Sequence, residues 1–270
     1  MTISKKISKA YANLPWGQLH FRTVADAAGQ PPVVLLHQTP LSSRNYEKLL
    51  PLITKKCSSY ALDTPGYGES GEVTEGWEVR DYANMVWDFV DGLGVEKVVL
   101  FGRATGAVFA LEAALCQPDR VHCLILHGMP VYTDEERVER TANYAPPFEA
   151  ASNGSHLQLI WDRVKGEYPW IGPDLATLLT RDLLRAGLDF ARAYRAIWRY
   201  DLRQKLQNDL RVPTLLVGGG ADRIAFMHER AVALMPYAES VFLKQVTDFV
   251  AEQDPELFAR HLNEFIERHV

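Results

Sequence analysis

The 270-residue chain contains few cysteines. Cys57, Cys116 and Cys123 are an odd number of thiols without a paired spacing. This excludes a disulfide framework, and it also excludes a zinc site built on two Cys pairs. Free thiols of this kind indicate a protein kept in a reducing compartment.

Long apolar runs are also absent. The longest, at residues 31–36 and 98–101, are far shorter than the ~18 residues that a membrane-spanning helix needs. Lysines at positions 5, 6 and 9 are followed by no apolar stretch, so no signal peptide is predicted. We therefore expect no membrane partner.

The chain has no excess of positive charge. Its 29 Lys and Arg residues are outnumbered by 34 Asp and Glu residues, which gives a net charge of −5 and leaves no electrostatic footprint for nucleic acid. Apolar residues make up 47% of the chain, so a large core is predicted and a disordered protein is excluded. The composition predicts a soluble cytoplasmic protein with a small-molecule partner, and it is compatible with a homo-oligomer.

Short β-rich runs alternate with amphipathic stretches along most of the chain. The predicted strands lie at residues 18–23, 33–36, 58–62, 98–101, 123–126, 214–217 and 240–243. The predicted helices lie at residues 44–52, 79–92, 106–116 and 254–268. Continuous Val, Leu and Ile runs are typical of strands that are covered on both faces of a parallel sheet. The alternation predicts an α/β fold with a mainly parallel, doubly wound sheet.

Residues 130–211 have no strand pattern and show helical periodicity instead. We expect them to form a helical lid inserted into a core made of residues 1–129 and 212–270. The segment is rich in aromatic residues, and two interpretations of them stay open. Either they pack the lid onto the core, or two or three of them, with Trp161 and Trp198 as candidates, line an apolar pocket beneath it.

Six short motifs follow one another along the chain. They are HQTP at residues 37–40, DTPGYGES at 63–70, GRATG at 102–106, PDRV at 118–121, LLVGGGAD at 215–222 and TDFVAEQDP at 247–255. In this order and at these spacings they resemble the α/β-hydrolase superfamily. The resemblance covers residues 18–130 and 211–268, and it implies an α/β-hydrolase fold with an inserted lid.

The motif at residues 102–106 resembles the superfamily's nucleophile elbow, a sharp strand-to-helix turn that projects one side chain into the pocket. Here that side chain is the methyl group of Ala104, which cannot attack a substrate. Thr247 and Asp248 stand where the superfamily has Gly-His. A carboxylate does not replace imidazole as a base near neutral pH unless its pKa is raised. The resemblance therefore implies a degenerate catalytic triad, which excludes acyl transfer by Ser-His-Asp.

Asp222 stands where the superfamily's triad acid orients the histidine. If Asp248 takes the place of that histidine, the two carboxylates approach each other, share a proton and form an acid/base pair. The alternative is that Asp248 faces solvent or caps a turn, while Asp222 pairs with Arg223 or Arg103. A guanidinium between the two carboxylates would hold both ionised and make the site a binding clamp.

The oxyanion hole of the superfamily uses backbone amides, which survive any change of side chain. The resemblance assigns those amides to Gln38 and Thr105, where they would bind a carbonyl, enolate or carboxylate oxygen. The alternative is that the fold keeps this loop without using it.

Three further residues are candidates for substrate binding. The Arg103 guanidinium suits a carboxylate or phosphate, unless it pairs with one of the two aspartates. His127 ends a predicted strand beside the pocket and is a candidate base, whereas His37 is expected to make a structural hydrogen bond. The remaining histidines lack metal-ligand spacing, so neither a metal nor another cofactor is predicted.

Three hypotheses about function remain. The first is a cofactor-free enzyme of lyase, decarboxylase, isomerase or cyclase type that acts on a small carbonyl compound through Asp222 and Asp248. The second is a pseudoenzyme that binds a small ligand or a partner. The third is an inactivated serine hydrolase, which explains Ala104 but not the change at Asp248.

Overall fold

The computed structural model describes residues 6–25, 29–53, 57–73, 76–206 and 210–270. Eight strands form one sheet in the order β1-β2-β4-β3-β5-β6-β7-β8. The strands are β1 (Ser8–Leu14), β2 (Gly17–Val24), β3 (Gln30–Leu36), β4 (Cys57–Leu62), β5 (Val98–Arg103), β6 (Val121–His127), β7 (Thr214–Ala221) and β8 (Glu239–Thr247). Strands β1 and β2 run antiparallel to their neighbours, and all other pairs in the sheet are parallel.

Every predicted strand lies within an observed one, which confirms the α/β class with a mainly parallel sheet. The central strands β3 and β5 are buried over most or all of their length. Helices cover both faces of the sheet, so side chains on both sides of these strands are buried, and this explains their unbroken apolar runs.

Ten α-helices accompany the sheet within the described ranges. They are α1 (Val79–Gly92), α2 (Thr105–Cys116), α3 (Asp134–Asn143), α4 (Ser155–Glu167), α5 (Pro173–Ala186), α6 (Arg192–Arg199), α7 (Leu202–Lys205), α8 (His228–Leu234), α9 (Val250–Gln253) and α10 (Pro255–His269). One apolar cluster packs α1, α2 and much of the α3–α7 segment against one face of the sheet, and a second cluster packs α10 against the other. None of the described helices is long and apolar enough to cross a membrane.

Two local features differ from the sequence predictions. The helix predicted at residues 44–52 consists of two short 3₁₀ turns, Ser43–Tyr46 and Leu50–Leu52. Pro51 lacks an amide hydrogen and restricts the residue before it, which opposes a continuous α-helix. Strand β1 was not predicted, because its inner residues are small and its exposed edge gives little hydrophobic contrast.

The α3–α7 segment lies between β6 and β7 in the chain. Tyr67, in the loop after β4, ties this segment to the sheet. Its hydroxyl donates to the Phe190 carbonyl oxygen at 3.0 Å and accepts from the Ala193 amide at 3.0 Å. These contacts hold α6 over the carboxyl ends of the strands, where the loops that carry the candidate site residues emerge.

Candidate functional site

Ala104 occupies the sharp turn between β5 and α2. Its backbone has φ 48° and ψ −112°, a conformation that L-residues rarely adopt. A Cβ atom at Gly102 would lie 2.2 Å from the Gly106 carbonyl oxygen, and one at Gly106 would lie 2.3 Å from the Leu36 carbonyl oxygen. The strand and the helix cross too closely for side chains at these positions. The two glycines thus permit the turn that presents position 104.

The Ala104 methyl group faces a cavity of about 210 Å³. Residues from the sheet loops and from the α3–α7 segment line it together. They are Gln38, Thr39, Arg103, Ala104, Thr105, Pro130, Tyr132, Arg140, Tyr144, Tyr194, Ile197, Arg223, Ile224, Phe226 and Asp248. A volume of this size suits a small organic molecule.

Gln38 and Thr105 lie on the same wall of this cavity, as the sequence analysis expected. Thr105 is the first residue of α2, and its Oγ1 accepts a hydrogen bond from the Thr39 amide at 2.7 Å. The same hydroxyl donates to Oγ1 of Thr39 at 2.9 Å. These two bonds fix the loop after β3 against the start of α2, so the backbone around Gln38 is held beside the elbow.

Asp222 and Asp248 are both buried, and Arg103 contacts both of them. Nη2 of Arg103 lies 2.7 Å from Oδ2 of Asp222 and 3.4 Å from Oδ1 of Asp248. Asp222 follows β7 and Asp248 follows β8, so the parallel register of the sheet brings their loops together. The two carboxylates therefore meet on one guanidinium nitrogen, which is the clamp arrangement that the sequence analysis set against a shared proton.

Arg223 holds Asp248 from a second side. Its amide donates to Oδ2 of Asp248 at 3.1 Å, and its Nε lies 3.5 Å from Oδ1. Its Nη1 reaches Glu167 on α4 at 2.8 Å, and its guanidinium stacks on the Tyr168 ring. Asp248 thus points inward, towards the cavity, and not into solvent.

Burial raises the pKa of the Asp222 carboxyl. The Asp248 carboxylate acts in the same direction, and the Arg103 cation opposes both effects. For Arg103, burial disfavours the charged form, but the two carboxylates outweigh it and raise the pKa of the guanidinium. Arg103 therefore stays protonated between them. Within the described residues its Nε has no hydrogen-bond partner, so the guanidinium is oriented by the two carboxylates at Nη2 and by the Gly128 carbonyl oxygen, which lies 3.5 Å from Nη1.

His37 lies outside the cavity wall and has a structural role. Its Nε2 accepts from the Thr64 amide at 2.9 Å, so Nδ1 carries the proton and donates to the Gln38 carbonyl oxygen at 2.9 Å. Burial lowers the pKa of this imidazole and keeps it neutral. The hydrogen bond expected from the sequence is present, and His37 is not among the residues that line the cavity.

His127 also lies behind the cavity, and a role as base does not suit it. Burial, together with the nearby Arg103 cation, lowers the pKa of its imidazole well below the ordinary value. The ring packs on Phe258, and its Nε2 has no hydrogen-bond partner among the described residues. A water-sized space beside it is also lined by Arg103 and Asp248. His127 therefore lies beside Arg103, on the side away from the cavity lining.

Neither tryptophan that was a candidate for the pocket wall reaches the cavity. Trp198 stacks on Tyr194, one helical turn earlier in α6, with the ring centroids 5.6 Å apart. Tyr194 thus occupies the position nearer the cavity, and its hydroxyl donates to the Thr39 carbonyl oxygen. Trp161 packs at the edge of the apolar cluster. Both tryptophans therefore pack the α3–α7 segment onto the core and do not line the pocket, which is one of the two interpretations that the sequence left open.

Sequence reasoning missed the tyrosines and Arg140 on the α3–α7 side of the cavity. Periodicity shows that Tyr194 and Trp198 share a helix face, but it does not rank them by distance from the elbow. No group of three or more His, Cys, Asp or Glu side chains in the described ranges is arranged to hold a metal ion.

The comparisons with known proteins agree with this architecture. The family described as alpha/beta hydrolase fold matches residues 31–243. The chain is similar to the uncharacterized hydrolase YugF of Bacillus subtilis, with 25% identity over 88% of this chain and 90% of that protein.

Two solved structures share the fold. One is a hydrolase from Pseudomonas aeruginosa, with a TM-score of 0.78, 20% identity and coverage of 96% of this chain and 98% of that one. The other is the enol-lactonase from Burkholderia xenovorans, with a TM-score of 0.78, 18% identity and coverage of 96% of this chain and 100% of that one. With the family match spanning most of its length, this chain belongs to the alpha/beta hydrolase fold family.

Proposed function

We propose that this protein is a cofactor-independent enzyme that acts on a small carbonyl compound by proton transfer, without a covalent intermediate. In this proposal the family's triad is degenerate, since Ala104 supplies only a methyl group where the turn projects its side chain. The observation that carries the proposal is the cavity itself. It places the Asp248 carboxylate and the start of α2 around one small space above Ala104.

The proposed step is the removal of a proton from the carbon next to the carbonyl group. Oδ2 of Asp248 accepts the proton, and the electrons of the broken C–H bond form a C=C bond. The carbonyl oxygen becomes an enolate oxygen, and the backbone amides of Thr105 and Gln38 stabilise its charge. Return of the proton to a different atom gives isomerase chemistry. In the decarboxylase alternative the C–C bond to a carboxylate breaks in place of the C–H bond, its electrons form the same enolate as carbon dioxide leaves, and a proton then adds to the carbon.

Arg103 and Asp222 act as positioning residues in this scheme. Asp222 binds Nη2 of Arg103, and the same nitrogen binds Oδ1 of Asp248, so the Asp248 carboxylate is held in place at the cavity wall. We also propose that residues 130–211 form the lid that excludes water. Its support is that Tyr132, Tyr144 and Tyr194 from this segment line the cavity.

A second candidate function is a binding protein without turnover. The specific observation that favours it is the engagement of Asp248, whose carboxylate already contacts two guanidinium groups. The pocket would then hold a carbonyl or carboxylate ligand, and Asp248 would serve only to orient Arg103 and Arg223.

Hydrogen exchange separates these two functions. The protein is incubated in deuterated water with pyruvate, levulinate and the neutral levulinamide, and deuterium next to the carbonyl is followed by NMR. We expect exchange above the buffer rate with the wild type and a loss of at least tenfold with Asp248→Asn. Binding of a probe without exchange in the wild type would support the binding protein and contradict the enzyme.

A further inference from the structure

The charges on the cavity wall are unequal. Arg103, Arg140 and Arg223 line the cavity, whereas Asp248 is its one acidic residue in the described part of the chain. Arg103 and Arg223 are already engaged by carboxylates, as described above. Arg140, on α3, differs from both of them.

Arg140 has no strong ion pair among the described residues. Its nearest carboxylate is the adjacent Glu139, with Nε 3.7 Å from Oε2, and the Glu139 side chain is 60% exposed. Its guanidinium lies 4.8 Å from the centroid of the Tyr144 ring, and that stacking orients it without using its N–H donors. An arginine that lines a cavity without a close ion pair suits a carboxylate ligand, because its planar fork matches the two oxygens.

The two ends of the cavity differ in kind. Asp248 belongs to the loop after β8 and lies beside the elbow, whereas Arg140 belongs to the α3–α7 segment. The cations beside the elbow, Arg103 and Arg223, are already paired with carboxylates, whereas Arg140 keeps a charge that attracts an anionic group to its own side of the cavity. A ligand with both a carbonyl and a carboxylate group is therefore oriented with its carbonyl towards Thr105.

We infer that the substrate is a small oxo-carboxylate and that Arg140 is the residue that binds its carboxylate. The carbonyl group of this substrate follows from the proposed function, so that part of the inference rests on it. The carboxylate group is inferred from Arg140 alone. Arg140 is thus a specificity-determining residue contributed by the α3–α7 segment, and the distance between its guanidinium and the elbow selects the length of the substrate.

Matched probes test the inference by binding, without requiring turnover. Isothermal titration calorimetry compares pyruvate with pyruvamide and levulinate with levulinamide, at low salt. We expect the carboxylate of the better-fitting pair to bind the wild type at least tenfold more tightly than its amide. Arg140→Gln should remove that preference and leave amide affinity within about twofold, and Arg140→Lys should restore part of it.

Arg137, on the same helix as Arg140, provides the matched control. It pairs with Asp134 at 2.6 Å and does not line the cavity. We expect Arg137→Gln to keep the carboxylate preference. Absence of that preference in the wild type, or its persistence in Arg140→Gln, would overturn the inference. A preference that depends on Arg140, without any hydrogen exchange, would uphold this inference and contradict the enzymatic proposal.

Discussion

Nη2 of Arg103 lies 2.7 Å from Oδ2 of Asp222, and both side chains are buried. Removing the cation leaves the buried Asp222 carboxylate without its ion-pair partner, and it leaves Asp248 with Arg223 alone. We expect Arg103→Met to lower the free energy of unfolding by about 3 kcal/mol, measured by urea denaturation at neutral pH. The double variant Arg103→Met/Asp222→Asn should recover at least 1 kcal/mol, because the unpaired Asp222 charge is gone.

The loss of unfolding free energy in Arg103→Met should become smaller at low pH. The pKa of Asp222 is raised in the folded protein, so the folded state binds protons more readily than the unfolded chain. Without Arg103 that pKa rises further, and the deficit of Arg103→Met should shrink as the pH falls from 7 towards 4. Arg185→Gln, which removes an exposed ion pair with Glu69, is the control and should change stability little. A deficit that does not depend on pH would contradict the proposed cause.

Backbone strain at Ala104 gives a second prediction. At φ 48° and ψ −112° the alanine Cβ atom is unfavourable, whereas glycine adopts this region readily. We expect Ala104→Gly to raise the free energy of unfolding by about 0.5–1 kcal/mol, despite the larger entropy that glycine gives the unfolded chain. Ala107→Gly, within the same helix, should destabilise the protein by at least a similar amount. Destabilisation by both changes would show that the turn is not strained.

Restoring one member of the triad should not restore hydrolysis. A serine hydroxyl at position 104 has no imidazole beside it to remove its proton. We expect Ala104→Ser to show no more hydrolysis of an activated acetate ester than the wild type, with no acyl-enzyme detected by mass spectrometry. Ala104→Ser with Asp248→His should give measurable acylation, and Asp248→His alone is its control. A burst from the single serine variant would mean that a group other than an imidazole at position 248 acts as the base, and it would contradict this account.

Glu252 lies on the far side of Arg103 from the cavity, and its acidity gives a further prediction. Burial raises the pKa of its carboxyl to about 8, although a hydrogen bond from Asn45 opposes this effect. The folded state thus binds a proton more tightly than the unfolded chain. The resulting stabilisation is complete below the unfolded pKa of about 4.5 and is lost as the pH rises through 8.

Replacing Glu252 with glutamine keeps the neutral form at every pH. We expect the wild type to lose on the order of 2 kcal/mol relative to Glu252→Gln between pH 5 and pH 8.5. Urea denaturation of both proteins across this range measures the difference. A constant difference, or one of opposite sign, would show that Glu252 is ionised in the folded state.

Much of the fold follows from local patterns in the sequence. Strands β3 and β5 are buried on both faces, and such strands are continuous apolar runs in the sequence. These runs made both strands predictable. The elbow at residues 102–106 was predicted from the resemblance of its motif, and its two glycines stand where a strand and a helix cross closely. Such constraints lie within a few residues of each other, so a single sequence displays them.

The contacts of the site depend on distant residues and were less accessible. The sequence showed that Arg103, Asp222 and Asp248 belong near one another, but which carboxylate meets which guanidinium depends on loop geometry. The choice between Tyr194 and Trp198 depends on how α6 is rotated over the sheet. Arg140 was not singled out, because a cation on an amphipathic helix has no mark in the sequence that separates a cavity-facing position from a solvent-facing one.

A crystal structure with bound levulinate tests the central claim most directly. The account predicts the ketone oxygen at hydrogen-bond distance from the Thr105 amide, and a carbon next to the ketone beside Oδ2 of Asp248. It also predicts the carboxylate on Arg140. Two results would contradict the proposed proton transfer. In one, the carboxylate of the ligand, and not its ketone, lies at the Thr105 amide. In the other, Arg103 and Arg223 keep their contacts with Asp248 and separate the ligand from it.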